Sequence, residues 1–424
     1  MKKKYEEPDK AIPKEGWPKP SLHKRKWLWV AGIVAVILML FLMLFILVNT
    51  NPYLGAEGAD WLRGIIGDKA VAGLEMFIFQ VQDDFQKLKY DLGLRNPAGD
   101  YGAFPSPTAS PTLVPKTRTP QAFSTTITPT ITGTVQPTPT AIVPWQPMTV
   151  TPLSKVNGEG VWIPYIQDAQ GLTVAYKTFV QPDPTRPYTL VTIVAVDLTK
   201  TRLHYVLGAI DPTLPGEPPH GGKMNLSDRA ANILLAEFNG GFQARHGQFG
   251  AMAEGSQALP PRDRLGTVAI YQNGSVKLGD WGTDIFLSAD MVAYRQNGPL
   301  VIQKGQINSQ IYNNSPLDWG YTVNDVSPTV RSGIGLSQDN LTMYYFCGPS
   351  LTMEALAKSM QAAGTYNAIQ LDINNYWVLF VKITAAGSKL VAEPLLPRLM
   401  VDGVGRYLTQ SPRDFFYITG SVNK

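Results

Sequence analysis

Residues 27–48 place the strongest constraint on this chain, because 22 successive positions carry no charge and most are Leu, Ile, Val, Met or Phe. About 20 apolar residues at 1.5 Å per residue span the ~30 Å hydrocarbon core of a bilayer. The run is longer than the apolar region of a cleaved signal peptide, and no small-residue cleavage site follows it. The sequence therefore predicts one transmembrane helix over 27–48, an uncleaved signal-anchor of a single-pass membrane protein.

The residues before this run predict its orientation. Residues 1–26 carry nine Lys/Arg against four Asp/Glu, together with four prolines. Such a composition predicts a disordered tail, and the positive-inside rule keeps a basic flank in the cytoplasm. We therefore expect a cytoplasmic basic tail over 1–26, in contact with the cell membrane, and an extracellular C-terminal domain.

Apolar residues at helical spacing follow the predicted anchor. Spacings of 4, 3, 4, 3 and 4 separate Leu74, Ile78, Val81, Phe85, Leu88 and Leu92. This is the a/d pattern of a coiled coil, and it predicts a juxtamembrane amphipathic helix over 56–95. Two interpretations stay open. Residues 74–92 join copies of the chain into a homo-oligomer, or the helix lies on the membrane or packs against the domain.

A change of composition marks the next segment. Residues 103–152 contain 11 Pro and 14 Thr in 50 residues, with almost no charge. Such a segment cannot bury enough apolar surface to offset its ordering entropy, and proline favours an extended path of ~3.1 Å per residue. We predict a Pro/Thr-rich disordered linker over 103–152 that acts as a stalk.

Residues 156–424 have the pattern of one globular domain. Apolar runs of strand length recur along the segment, and Asn-Gly at 273–274 between two of them indicates a hairpin. Two segments have helical spacing, residues 226–235 and residues 352–363, and Gly364 ends the second. Many strands with few helices predict an α+β domain built on mixed sheets.

Charge and cysteine content exclude several classes of function. The net charge is only +4 and no basic stripe with interleaved aromatics occurs in the globular part, so no nucleic-acid partner is predicted. Cys347 is the only cysteine, which excludes an internal disulfide and offers no zinc spacing. It lies in an apolar run, which favours a buried, inert thiol. No metal and no cofactor are predicted.

Three short motifs in the last 190 residues bear on chemistry. They are Asn-Gly-Gly-Phe at 239–242, Arg-Ser-Gly-Ile-Gly at 331–335 and Leu-Asp at 371–372. In order and spacing they resemble the motifs of the phosphodiester glycosidase family. Domains of this family are of the N-acetylglucosamine-1-phosphodiester alpha-N-acetylglucosaminidase type. The resemblance covers roughly residues 185–420. It implies that family's fold and a hydrolase that acts on sugar-phosphate diesters.

The first motif supplies candidate substrate-binding residues. Gly240 and Gly241 let the backbone approach a ligand without a Cβ clash, and Asn239 at the strand end presents an amide to a substrate oxygen. His246, a few residues on, is a candidate acid or base as well as a binding residue. An ordinary tight turn is the alternative, because Asn-Gly is common in turns.

The second motif supplies a candidate phosphate ligand. An arginine that opens a strand can hold a phosphate with two parallel N–H donors, so Arg331 is assigned that role, and Ser332 beside it is assigned to substrate binding. The alternative is a structural salt bridge from Arg331 to Asp325 or Asp372.

The third motif departs from the family pattern. The resemblance implies that Asp372 ends a buried strand and faces the active site, where a carboxylate serves as acid or base or holds a sugar hydroxyl. Relatives continue with glycines and a serine, whereas this chain continues with Ile373, Asn374 and Asn375. The two asparagines offer amides to a sugar, and Trp377 offers a stacking surface.

Two functions follow from these motifs. The first is a membrane-anchored extracellular glycosidase that hydrolyses sugar-1-phosphate diesters in an envelope or extracellular polysaccharide, with Asp372, Arg331 and Asn239 as catalytic residues. The alternative is a non-catalytic, tethered module that binds a glycan or a sugar-phosphate polymer on the same fold. The altered loop after Asp372 favours the second function, and the other two motifs favour the first.

Overall fold

The computed structural model describes residues 29–36, 39, 52–96, 145–214, 216–313, 319, 326–387 and 389–421. The chain divides into two units, Met1–Gly55 and Ala56–Lys424. In the first unit, residues 29–36 are helical. Within the residues that the structure describes, no helix is both long and apolar enough to cross a membrane. Most of the predicted anchor over 27–48 lies outside the described residues, so the anchor stays a prediction.

Two helices occupy the segment predicted as one helix over 56–95. They are α1, Pro52–Ile66, and α2, Asp68–Asp91. Gly67 separates them with φ of 82°, a left-handed conformation that suits glycine. Arg63 of α1 and Glu75 of α2 form an ion pair at 2.5 Å. The segment is therefore a helical hairpin that turns at Gly67.

Helix α2 contacts the globular domain. Asp83 is only 4% exposed, and its carboxylate accepts hydrogen bonds from Arg186 Nε and Tyr188 Oη, each at 2.9 Å. The rings of Tyr90 and Tyr188 are 6.1 Å apart. Helix α2 is therefore in direct contact with the domain, and the Pro/Thr-rich segment does not hold the two apart. Residues 145–152, which composition assigned to that linker, lie along the domain, where Val150 is buried and Thr151 N donates to Ala362 O.

The domain consists of three sheets. The eight-stranded sheet has the order β1 Ile163–Gln167, β2 Thr173–Val180, β3 Val191–Asp197, β14 Thr342–Leu351, β13 Thr329–Leu336, β15 Asn367–Gln370, β11 Ile302–Gln303 and β12 Gln306–Ile307. The second sheet has the order β7 Ser256–Leu259, β6 Ala251–Ala253, β10 Met291–Gln296, β8 Gly266–Tyr271 and β9 Val276–Asp280. The third has the order β17 Lys389–Pro394, β16 Phe380–Ala386, β5 Leu234–Asn239, β18 Phe415–Gly420 and β4 Thr201–Val206.

The prediction of mixed sheets is wrong for the described strands, because every ladder pair in the three sheets is antiparallel. Short loops join successive strands such as β1 and β2 or β8 and β9, and such connections produce antiparallel neighbours. Helix α3, Met353–Ala362, connects β14 to β15, which lie on opposite sides of β13. The helix predicted near 352–363 is confirmed, with Thr352 as its N-cap, whose Oγ1 accepts from Ala355 N at 3.1 Å.

Alternation along β14 buries both faces of the large sheet. Tyr344 and Phe346 pack on the side of α3, whereas Tyr345 and Cys347 belong to the main core between the sheets. In that core Phe238 of β5 lies 5.2 Å from the Tyr345 ring. The free Cys347 thiol is buried, and burial raises its pKa. A thiol with a raised pKa is poorly reactive, in agreement with the predicted inert thiol. This packing holds the end of β5 against β13 and β14.

Candidate functional site

The three sequence motifs meet at one point of the domain. Asn239 is the last residue of β5, Ser332 lies in β13, and Asp372 follows β15. Ser332 Oγ accepts a hydrogen bond from Asn239 Nδ2 at 3.1 Å and donates one to the Asp372 carbonyl at 2.8 Å. Residues distant in sequence are therefore joined by one chain of hydrogen bonds.

Asn239 is fully engaged inside the protein. Its Nδ2 donates to Gly240 O as well as to Ser332, and its Oδ1 accepts from Tyr345 Oη at 2.8 Å and from Leu379 N at 3.2 Å. The side chain is 2% exposed. This geometry leaves no amide group turned toward a substrate, so Asn239 fixes the end of β5 rather than orienting a sugar.

Gly240 and Gly241 approach a buried carboxylate, not an open pocket. Gly240 N donates to Asp414 O at 3.1 Å, and Gly241 N donates to Asp414 Oδ2 at 3.2 Å. A Cβ at Gly240 would lie 2.2 Å from Asp414 Oδ2, and one at Gly241 would lie 2.9 Å from the Arg295 guanidinium. Close packing on this pair explains both glycines without any need for a positive φ.

Arg295 and Asp414 form a buried ion pair beneath this turn. Arg295 Nε donates to Asp414 Oδ2 at 2.7 Å, and both side chains are at most 1% exposed. Tyr205 Oη donates to the same oxygen at 2.9 Å, and Arg295 Nη2 donates to Phe242 O at 2.5 Å. A buried pair is stable only when further hydrogen bonds satisfy its remaining groups, and the turn provides several of them.

A second pair, Asp372 with Arg413, lies beside the first. Arg413 Nη2 donates to Asp372 Oδ2 at 2.7 Å and to Gly241 O at 2.9 Å. Asp372 Oδ1 accepts from Ile373 N at 2.7 Å and from Asn374 N at 2.9 Å. Burial raises the pKa of the Asp372 carboxyl, while Arg413 and the two N–H donors limit that rise.

Arg413 keeps donors for a further ligand. Its Nε is buried and has no hydrogen-bond partner among the described residues, and the same part of the structure gives Nη1 no hydrogen bond. Two orphan oxygens belong to the same cluster, Asp414 Oδ1 and Tyr407 Oη. Buried polar groups normally find a partner in protein, water or ligand, so this cluster is the part of the site that is set up to receive one.

Arg331 does not serve the site directly. Its side chain is 0% exposed, and it donates from Nε to Leu351 O at 2.8 Å and from Nη1 to Gln370 Oε1 at 2.7 Å, with a third bond to Ser327 O. The Asp372 carboxylate pairs with Arg413, not with Arg331. This geometry does not support the phosphate-binding role predicted for Arg331, because a ligand has no access to its guanidinium.

His246 lies in the short 3₁₀ turn Ala244–His246 and is half-buried. Burial, and then the nearby Arg245, Arg63 and Arg413, lower its pKa to about 3. The imidazole is therefore neutral at physiological pH, which argues against its acting as a general acid. The three arginines make this side of the site electropositive.

The loop after Asp372 has a defined shape without glycines. Asn374 Oδ1 accepts from Tyr376 N at 2.9 Å, and Asn375 is exposed. Within residues 373–377, all of them described, no φ is positive. Trp377 lies 5.0 Å below the Arg413 guanidinium and 5.3 Å from that of Arg406. Asn375 is thus the predicted binding residue most open to a ligand, and Trp377 supports Arg413.

Sequence reasoning missed Arg295, Arg413 and Asp414. Arg413 and Asp414 lie outside all three motifs and immediately precede the last strand, β18. An adjacent Arg-Asp pair before a buried strand was the available signal, since charged residues are rarely buried unless paired. Asn297 was also missed, although its side chain accepts a hydrogen bond from Phe242 N and donates one to Leu371 O at 3.1 Å, which connects the first motif to the third.

The structure also bears on metal binding. Within the described ranges, no group of three or more His, Cys, Asp or Glu side chains is arranged to hold a metal ion.

Comparisons with known proteins agree with the motif reading. A family model described as phosphodiester glycosidase matches residues 233–372. That range contains all three motifs, so the family resemblance predicted from them is confirmed. No curated protein sequence matches the chain.

Several solved structures are similar to this domain at low identity. The catalytic domain of zebrafish N-acetylglucosamine-1-phosphodiester alpha-N-acetylglucosaminidase, auto-inhibited by its pro-peptide, has 13% identity and a TM-score of 0.37, covering 64% of this chain and 87% of that one. A hypothetical protein from Synechocystis has 10% identity and a TM-score of 0.35, covering 61% and 64%. A putative exported protein from Burkholderia pseudomallei has 10% identity and a TM-score of 0.29, covering 55% and 74%. Likenesses this distant carry no argument about function.

Proposed function

We propose that this protein hydrolyses sugar-1-phosphate diesters of an envelope or extracellular polysaccharide. The match of the phosphodiester glycosidase family model to residues 233–372 supports this proposal. The reaction breaks the bond between the anomeric carbon and the phosphate oxygen. Water supplies the hydroxyl to the sugar, and the phosphate leaves as a monoester. Such a substrate is anionic before and after reaction, so the site must hold a negative charge throughout.

Arg413 is the observation that carries this proposal. It is a buried guanidinium paired with the Asp372 carboxylate, and its Nε and Nη1 donors have no hydrogen-bond partner among the described residues. An arginine with two donors to spare matches the geometry of a phosphate oxygen pair. Arg245 and Arg63 add positive charge near His246. In this proposal Arg413 takes the phosphate-binding role that the sequence assigned to Arg331.

Asp372 acts on the sugar side of the scissile bond. A phosphate monoester leaves readily without protonation, so the carboxylate is more useful as the base that takes a proton from the attacking water. Its position is fixed by Arg413 on one oxygen and by two backbone N–H groups on the other. Asn375, which is exposed at the loop, supplies an amide to the sugar hydroxyls.

Hydrolysis tests the proposal directly. The full chain in detergent is incubated with UDP-N-acetylglucosamine or with the methyl diester of N-acetylglucosamine-1-phosphate, and the free sugar is quantified. We expect Asp372→Asn to lower turnover by at least ~100-fold, as for loss of a general base. Arg413→Lys should mainly raise KM, whereas Arg229→Lys, an exposed control in another loop, should change neither constant.

A non-catalytic binding module is the second candidate, and the altered loop favours it. In this second function, the side chains of residues 373–376 occupy space that the family leaves to glycines, and they exclude water from the anomeric carbon. In that case the wild type would release no sugar but would bind the same diesters saturably, and Arg413→Lys would weaken that binding. Absence of both release and binding would overturn both functions.

We also propose that residues 27–48 anchor the chain in the cell membrane with the domain outside. The support is the uncharged run and its basic flank. In membranes, alkaline carbonate should fail to extract the full chain, and protease added to intact cells should digest the domain while sparing residues 1–26. Extraction by carbonate, or protection of the domain, would contradict this topology.

A further inference from the structure

The apolar seam of α2 remains open to solvent at its C-terminal half. In heptad terms Ile78, Phe85 and Leu92 are a residues, and Val81 and Leu88 are d residues. Phe85 and Leu88 are each 51% exposed, and Leu92 is 62% exposed. Large apolar side chains that recur at a and d and remain half-exposed mark a surface made for contact with another helix.

The domain is attached to the opposite side of the same helix. Asp83, which bonds Arg186 and Tyr188, and Tyr90, which packs near Tyr188, both occupy f positions of this heptad. The f position is the one farthest from the a/d seam. A second helix on the seam would therefore meet no obstruction from the domain, and two domains would face outward.

Charges beside the seam suit a second copy in parallel orientation. Asp84 is a g residue and Lys89 is the e residue five positions later, which is the spacing of g-to-e' pairs between parallel strands. Two-fold symmetry gives two such pairs. Lys89 already lies over the Phe85 ring at 4.4 Å, next to the seam. The flanks carry both signs, with Asp84 and Asp91 beside Lys87 and Lys89, unlike the Lys/Arg-rich flanks of helices that lie on anionic membranes.

We propose that α2 pairs with α2 of a second copy as a parallel two-stranded coiled coil, with both domains held outward at the f positions. The seam spans fewer than three heptads, so it is weak between free chains. Two chains anchored in one membrane share an orientation and have a high effective concentration, which favours a short parallel seam. This inference does not depend on the proposed activity.

Single cysteines test the pairing in membranes that contain the full chain. The native Cys347 is fully buried and does not compete. Leu88→Cys, at d, should form a disulfide-linked dimer on mild oxidation, at a yield at least ~5-fold above that of Lys87→Cys, the exposed c-position control, which corresponds to about 1 kcal/mol. The control cysteine should instead react with a membrane-impermeant maleimide.

The other outcomes overturn the inference. A Cys at position 88 that forms no dimer and resists the maleimide would mean that the seam lies on the bilayer. A Cys that forms no dimer and reacts freely would mean that the seam is solvated. Charge reversal gives an independent check on the same readout with Leu88→Cys in place: Asp84→Lys alone should lower the dimer yield about 3- to 10-fold, and Asp84→Lys with Lys89→Asp should restore it.

Discussion

At the scale of single residues, two buried arginines differ in how many of their N–H donors are hydrogen-bonded within the protein. Arg331 donates to protein oxygens from Nε, Nη1 and Nη2. Arg413 donates to protein oxygens from Nη2 alone, to Gly241 O and Asp372 Oδ2. Alternation along β13 explains the first case, because Ser332 faces Asn239 and so Arg331 faces the opposite side of the sheet. Arg331 therefore stabilises the sheet, whereas Arg413 retains donors that a ligand can use.

This difference predicts opposite results for two matched substitutions. Arg331→Lys should lower the free energy of unfolding by about 2–3 kcal/mol, because buried carbonyls lose their donors, and should leave KM for a sugar-phosphate diester unchanged in the folded fraction. Arg413→Lys should raise KM while costing less stability. Urea titration and steady-state kinetics on both variants measure the two effects. The assignment is wrong if Arg331→Lys is the variant that raises KM at unchanged stability.

Glu237, in the middle of β5, makes the stability of the domain depend on pH. It is 0% exposed, neither oxygen has a partner among the described residues, and burial raises its pKa to about 8, with Arg229 opposing the rise. The folded state thus holds a proton that the unfolded state releases near its ordinary pKa. The contribution of Glu237 to the free energy of unfolding is fully present below about pH 4.5. It decreases as the pH rises and is lost above about pH 8.

Glu237→Gln removes this ionisation at nearly constant shape. Relative to wild type, the variant should gain stability steadily between about pH 5 and pH 8, by on the order of 4 kcal/mol at the upper end. Unfolding by urea at several pH values gives the difference curve, in which other titrating groups cancel. A flat difference across this range would show that Glu237 is not protonated in the folded domain.

At the scale of elements, the sequence predicted strands and motifs better than it predicted side-chain roles. The run 266–271 coincides with β8, and its Asn-Gly hairpin to β9 is confirmed. The predicted helix over 226–235 is wrong: those residues form turns, Asn232 has φ of 66°, and β5 begins at residue 234. Short apolar runs fit a strand or a helix equally, and only sheet partners decide between them.

The side-chain roles in the candidate site also depend on sheet pairing. The family resemblance implied that residues 239–242, 331–335 and 371–372 serve one site, and hydrogen bonds join them. Which face of β13 carries Arg331 depends on register with β14 and β15, which a single sequence does not contain. Arg413 lies outside every motif, and only the pairing of β18 with β5 brings it to the site.

The loop 373–377 depends on an arginine in a different element. Arg406 donates to the carbonyls of Gly403, Tyr376 and Asp402 at 2.6–2.8 Å, and its guanidinium lies 4.0 Å from the Tyr376 ring. Hydrogen bonds and a cation–π contact together hold a loop more firmly than its own short-range bonds. Arg406 therefore adds to the turn that Trp377 N closes on Asn374 O at 3.0 Å.

Arg406→Ala should release this loop while sparing the rest of the domain. The amide protons of Ile373 and Asn374, which donate to Asp372 Oδ1, should exchange at least ~10-fold faster, equivalent to about 1.4 kcal/mol. Hydrogen exchange followed by mass spectrometry measures this, with peptides from β8 as the internal reference. Arg406→Lys, which keeps the cation–π contact, should show a smaller effect. Equal exchange in wild type and Arg406→Ala would contradict the role.

At the scale of the whole molecule, the site draws on all three sheets. Arg295 comes from β10 of the second sheet, Asp414 precedes β18 of the third, and Asp372 follows β15 of the first. The paired charges therefore join the sheets as well as form the site, and helix α2 adds a contact through Asp83 on another part of the domain. The candidate site and the contact between α2 and the domain use separate buried carboxylates, Asp372 and Asp83, so each can be disrupted without the other.

Asp83→Ala should detach the hairpin from the domain. Loss of the carboxylate leaves Arg186 and Tyr188 without their partner, at a cost of about 1–3 kcal/mol for the docked state. The domain core does not include this residue, so its thermal unfolding should shift little, while protease cleavage within residues 52–96 should become several times faster. The rate of cleavage in Asp83→Asn, which retains an acceptor for Tyr188, should fall between those of the wild type and Asp83→Ala. Lys87→Ala, at the exposed c position of the same helix, serves as the control. If cleavage of the hairpin is unchanged in Asp83→Ala, then contacts other than this carboxylate hold α2 in place, and the outward placement of two domains in a dimer loses its support.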